Sequence, residues 1–130
     1  MRALTLILRA LAVAFIATAA LHLFFGLNAD AMLGAPVSAD MVKEPSLDSQ
    51  NRFYGIAFSF LGIALLIGTT DLRRYRPVVL AALGVLFAAG LARILSWVLY
   101  GAPSAPIIGI LCLDVFLPPL LYVWIARSLK

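Results

Sequence analysis

The chain has 130 residues, of which 64% are hydrophobic and only 12% charged, with a mean hydropathy of +1.06 and a net charge of +4. So few charges cannot cover a water-facing surface, so many apolar residues exclude disorder, and the length allows one domain at most. The basic residues lie mainly between or outside the apolar runs, which points to membrane orientation and away from nucleic-acid binding.

Residues 3–27 form the first apolar run, opened by Arg2 and interrupted by Arg9. Ala17-Thr18-Ala19 fits a small-x-small cleavage site, so a signal peptide is one reading. The run continues through Leu21, Leu23, Phe24 and Phe25, long enough to span, and is taken as the first span. Residues 28–48 are the long polar segment, carrying Asp30, Asp40, Glu44 and Asp48 against Lys43. Gly34-Ala35-Pro36 and Glu44-Pro45-Ser46 read as breakers, and a short helix is expected around Asp30–Leu33. The segment serves as a connector or as a lid.

The second span is expected over 49–70, with Asp48 as its N-cap and in reach of Arg52 four residues on. Gly55, Ser59 and Gly62 share the Arg52 face, a small-residue stripe of the kind that lets helices approach in lipid. A basic turn, Asp71–Arg76, leads to Pro77 and a third span over 77–100. There Ala82, Leu86, Ala89, Arg93, Ser96 and Tyr100 fall on one face, and Trp97 and Tyr100 mark an interface. After an uncharged turn, the fourth span runs over 107–126. Pro118 and Pro119 remove the hydrogen bonds to the carbonyls of Asp114 and Val115, so a kink is expected at the acid. The apolar runs lack the alternation of barrel strands.

The fold class expected is therefore all-α: an integral membrane four-helix bundle, a single domain over 1–130. Four spans put both termini on one side, together with Arg2, Arg9, Arg73, Arg74, Arg76, Arg127 and Lys130. The positive-inside rule makes that side cytoplasmic and the 28–48 loop external. The setting expected is a bacterial inner membrane, multi-pass.

His22, Arg52, Arg93 and Asp114 each come from a different span and share the half nearer that loop. An Arg or Asp at mid-membrane costs roughly 2.5–3.5 kcal/mol on insertion scales, so a shared cluster with an Arg93–Asp114 ion pair is expected. Gln50 and Asn51 are placed at its rim. Three uses stay open. The cluster is a staple that sets helix register. It is a ligand site, where two arginines against one intramembrane carboxylate leave positive charge for an anionic lipid headgroup or small anionic metabolite. Or it is catalytic, with His22 and Asp114 as proton donor and acceptor. A structural role, as a homo-oligomer or a subunit docking through the small or Ala-rich faces, is a further alternative. No cofactor and no metal are expected: there is no phosphate loop or Gly-rich fingerprint, and His22 and Cys112 stand on different spans.

The runs LDSQNRFYG at 47–55, DLRRYRP at 71–77 and GLARILS at 90–96, with the acid and double proline at 114–119, resemble an uncharacterised bacterial family. Its members are small four-span inner-membrane proteins carrying a domain of unknown function. The layout is more loosely similar to DoxX-like membrane proteins. The resemblance implies a four-helix membrane bundle without an assigned activity. It picks out Arg52, Phe53, Tyr54, Gly55, Gly90, Arg93, Pro118 and Pro119 as signature positions. The family usually carries Glu in span four; Asp114 here has a shorter reach to Arg93.

Overall fold

The computed structural model describes residues 1–129, and the terminal basic residue Lys130 lies outside them. Helix α1 covers Arg2–Phe25, α2 Asn28–Met32, α3 Ala39–Lys43, α4 Pro45–Gly68, α5 Arg76–Tyr100 and α6 Ala105–Ser128. No strand occurs among the described residues. Helices α1, α4, α5 and α6 are each long and apolar enough to cross a membrane. At 1.5 Å per residue, 24 residues reach about 36 Å, more than the roughly 30 Å of bilayer hydrocarbon. Only 22–28% of each apolar window is buried between helices, so most of it faces outward, as hydrocarbon requires. This is a small four-span membrane protein, an all-α bundle.

The short helix expected near Asp30 is α2; α3 was not foreseen, and Ser38 caps it by accepting from the Met41 N–H at 3.2 Å. The second long helix begins four residues earlier than expected. Glu44, not Asp48, is its N-cap, accepting from the Leu47 N–H at 2.6 Å, and Pro45 opens the first turn. Proline breaks a helix from within but suits its first position, where its missing N–H has no partner to lose. At the other proline pair, α6 runs unbroken from Ala105 to Ser128 through Pro118 and Pro119. The two prolines do not end the helix.

The helices pair unevenly. The most extensive packing is α1 on α4 and then α5 on α6, with α4 on α5 less and α1 on α6 slight. Glycines set the close approaches. A Cβ on Gly62 would stand 2.7 Å from the Ala12 carbonyl oxygen, and one on Gly55 would overlap the Cβ of His22. The expected small stripe is thus spent inside the chain, on α1.

The apolar core joins all four long helices at the end where the chain starts and finishes. Leu4, Leu8, Leu65, Val79, Leu121 and Ile125 are fully buried there. Arg9 Nε donates to Thr69 Oγ1 at 3.2 Å at the same end. Toward the loop end the packing loosens: beyond Gly90, no residue of α5 is buried.

Candidate functional site

That loosening leaves a cavity of about 410 Å³ between the four long helices, under α2. Its apolar wall includes Leu11, Phe15, Phe58, Leu86, Ile110 and Leu113. Its polar groups are His22 and Thr18 of α1, Asp30 of α2, Asn51 and Tyr54 of α4, Arg93 of α5 and Asp114 of α6. A second, apolar groove of about 530 Å³ runs between α4 and α5, where the small side chains of Ala57, Ala64, Ala81, Ala82 and Ala89 leave space.

Arg93 and Asp114 meet across α5 and α6, with Nε 3.0 Å from Oδ2. The approach is possible because Gly90 has no side chain: a Cβ there would lie 3.1 Å from the Asp114 Cβ and 2.8 Å from Val115. Asp114 is buried and the Arg93 side chain is about one-third exposed. Among the described residues, this is the sole side-chain hydrogen bond of either group. The two terminal amino groups of Arg93 therefore have no partner among the described residues.

His22 lies on the other wall. Its Nδ1 is 2.9 Å from the Thr18 carbonyl, which can only accept, so Nδ1 carries a hydrogen. Nε2 then faces Asp30 Oδ1 at 3.6 Å. Asn51 completes the group, donating through Nδ2 to Asp30 Oδ2. Its Oδ1 is the one buried side-chain polar atom without a hydrogen-bond partner among the described residues.

Of the four residues expected to meet, His22, Arg93 and Asp114 line the cavity. Arg52 lines no part of the cavity. Its Nε donates to Asp48 Oδ2 at 2.7 Å, and one terminal amino group donates to the Leu23 carbonyl. That carbonyl belongs to the last turn of α1, where helix acceptors lack an internal partner and a cation is favoured. Arg52 thus caps α1 from α4. Gly26 makes room for it: with φ of +54° it ends α1, and a Cβ there would meet the Asp48 carboxylate and stand 3.0 Å from the Arg52 guanidinium. Gln50 is exposed and makes no side-chain hydrogen bond to a described residue.

The sequence reading also missed Asp30 as a cavity group. It sits in a polar loop, and only the fold of α2 back over α1 brings it to His22. Leu33, just after α2, fastens that roof to the far hairpin, its carbonyl accepting from Ser104 Oγ at 2.8 Å. The charge surplus expected from two arginines and one acid is absent. Arg52 is matched by Asp48, Arg93 by Asp114, and Asp30 adds a further carboxylate. Among the described residues, no three His, Cys, Asp or Glu side chains gather closely enough to hold a metal ion.

A family model described as a domain of unknown function (DUF4345) matches residues 3–125. The match takes in the stretches at 47–55, 71–77, 90–96 and 114–119, and the first span as well. Neither a curated protein nor a solved structure matches the chain.

Proposed function

We propose that this chain, which belongs to the DUF4345 family, binds one amphiphilic molecule in the cavity between its four spans. The observation that carries the reading is Arg93: it lines the cavity, spends only Nε on Asp114, and keeps its terminal amino groups for an acceptor on a ligand. A planar fork held at one edge presents the other in a set orientation. The apolar wall takes the rest of the molecule. The volume is that of a pocket for one drug-sized ligand. The protein then acts as a small binding or accessory protein of a bacterial inner membrane, loading from the outer half of the bilayer.

Mass spectrometry of small molecules and lipids carried through gentle purification tests this. The wild type should retain a defined species. Arg93→Lys should retain at least tenfold less while keeping its helical circular dichroism, because a lysine ammonium spent on Asp114 has no second edge to offer. Wild-type protein carrying nothing beyond bulk lipid, or an Arg93→Lys profile equal to it, would sink the proposal.

A catalytic alternative is favoured by one observation, the contact between His22 and Asp30 at the cavity wall. In that reading the partner of His22 is Asp30, not Asp114, whose carboxylate is engaged by Arg93. Turnover lost in His22→Gln with ligand retention unchanged would be its signature.

A further inference from the structure

We propose that the groove between α4 and α5 holds one acyl chain of an anionic phospholipid whose phosphate rests on the basic turn at 73–76. This site is separate from the Arg93 cavity and does not depend on it. Three observations carry it.

The first is shape. Ala64 and Ala82 are buried along the groove with Leu61, while Phe60 and Val85, which also line it, are exposed. Small side chains between large ones leave a channel on the outer surface of the bundle, and no charged side chain lines it. In a bilayer that surface faces acyl chains.

The second is length. On α5 the lining runs from Val78 to Ala89, and on α4 from Tyr54 to Ala64. At 1.5 Å per residue these are about 15–17 Å, half of the roughly 30 Å of bilayer hydrocarbon. The groove therefore covers one leaflet, from the basic end of the bundle to mid-helix. That is the reach of one acyl chain, whereas a helix of a second copy would cross both leaflets.

The third is charge. The turn holds Arg73, Arg74 and Arg76 beside one acid, Asp71, whose Oδ1 accepts from the backbone N–H groups of Arg73 at 3.1 Å and Arg74 at 3.0 Å. Among the described residues, none of these three guanidinium groups enters an ion pair or a side-chain hydrogen bond. Arg74 instead lies over the Tyr75 ring, 5.4 Å from its centroid. Val78, where the groove begins, is two residues past Arg76 and four past Arg74. An orientation signal needs only the charge. Guanidinium groups left free at the mouth of an apolar channel also suit a phosphate, which can accept from the planar fork through two oxygens.

The test uses the full chain in nanodiscs of equimolar phosphatidylglycerol and phosphatidylcholine with the same acyl chains. Native mass spectrometry reads the lipids that stay on the protein after release from the disc. One phosphatidylglycerol should be retained, at least tenfold over phosphatidylcholine, since each basic residue near the surface favours an anionic headgroup by roughly fivefold. In Arg73→Gln/Arg74→Gln/Arg76→Gln that preference should fall to within about twofold. Ala81 lines the groove and not the cavity, so Ala81→Phe fills the groove alone and should retain at least fivefold less phosphatidylglycerol. Ala88→Phe, exposed on α5 outside the groove, should retain as much as the wild type. A wild-type ratio near one, or a triple variant that keeps the preference, would overturn the proposal. Equal retention in Ala81→Phe and Ala88→Phe would show that the groove is not what holds the lipid, and would end it too. So would a lipid-free dimer, which puts a second copy in its place. If the triple variant does not fold, the wild-type ratio and the two alanine substitutions decide.

Discussion

At the scale of single residues, the Arg93–Asp114 pair and the glycines beneath it make opposite demands. Each charge is tolerable only through the other, so removing one strands its partner among apolar side chains. Asp114→Leu alone should destabilise the protein by about 2–3 kcal/mol, and the double change Arg93→Leu/Asp114→Leu should recover most of that loss. Unfolding of the wild type, the single variants Arg93→Leu and Asp114→Leu and the double variant in mixed detergent micelles measures the coupling; simple additivity would show that the pair contributes nothing. Glycine substitutions divide by what a new Cβ would touch. Gly55→Ala forces the His22 backbone region away from α4 and should cost about 1–3 kcal/mol, the usual range for overpacking. Gly84→Ala and Gly109→Ala meet nothing within 4 Å and should be neutral or stabilising by up to about 1 kcal/mol, since alanine is the better helix former. The same unfolding assay compares them, and a Gly55→Ala protein as stable as Gly84→Ala would contradict the close approach of α1 and α4. Asp114 and Arg93 were legible because intramembrane charge stands out in a one-dimensional pattern. The roles of Asp30 and Arg52 were not, because no periodicity marks the fold of α2 back over α1 or the approach of α4 to the end of α1.

At the scale of elements, the ends of the helices decide where the polar loop sits. Glu44 caps α4, and the bond from the Leu47 backbone N–H, helped by that of Ser46, holds its carboxyl below the ordinary carboxylate range. A carboxylate whose folded pKa is depressed stabilises fully above its unfolded value of about 4.3, and that stabilisation fades as pH falls through the lower folded value. Wild type should therefore lose thermal stability relative to Glu44→Gln on acidification below roughly pH 4, and match or exceed it at neutral pH. Thermal melts at both pH values check this; an unchanged difference would mean that the cap is not made by the ionised group. Helix α1 is finished differently, by an arginine from α4 donating to the Leu23 carbonyl. The cap of α4 could have been found from Glu-Pro, a capping residue followed by proline at the first helical position. Taking the Pro as a breaker hid it.

At the scale of the whole molecule, the packed core occupies one end of the bundle and the cavity the other, roofed by α2 and the segment that follows. The basic residues Arg2, Arg9, Arg73, Arg74, Arg76 and Arg127 gather at the core end by the parity of four crossings. We expect that end to be cytoplasmic. With Cys112 replaced by Ser, a membrane-impermeant maleimide applied to intact bacterial cells should label Asp40→Cys but not Ser128→Cys. The reverse pattern would invert the orientation and move the cavity to the inner half of the bilayer.

The sequence by itself determined the number of long helices, their approximate limits and the charged pair between the third and fourth. Hydrophobic length and the cost of buried charge are local properties, readable along a chain. Which helices press together, which arginine reaches the cavity, and that the polar loop folds back to set Asp30 against His22 were decided only in three dimensions. Contacts between distant residues are chosen by packing, where a missing Cβ at Gly55 or Gly90 admits a close neighbour.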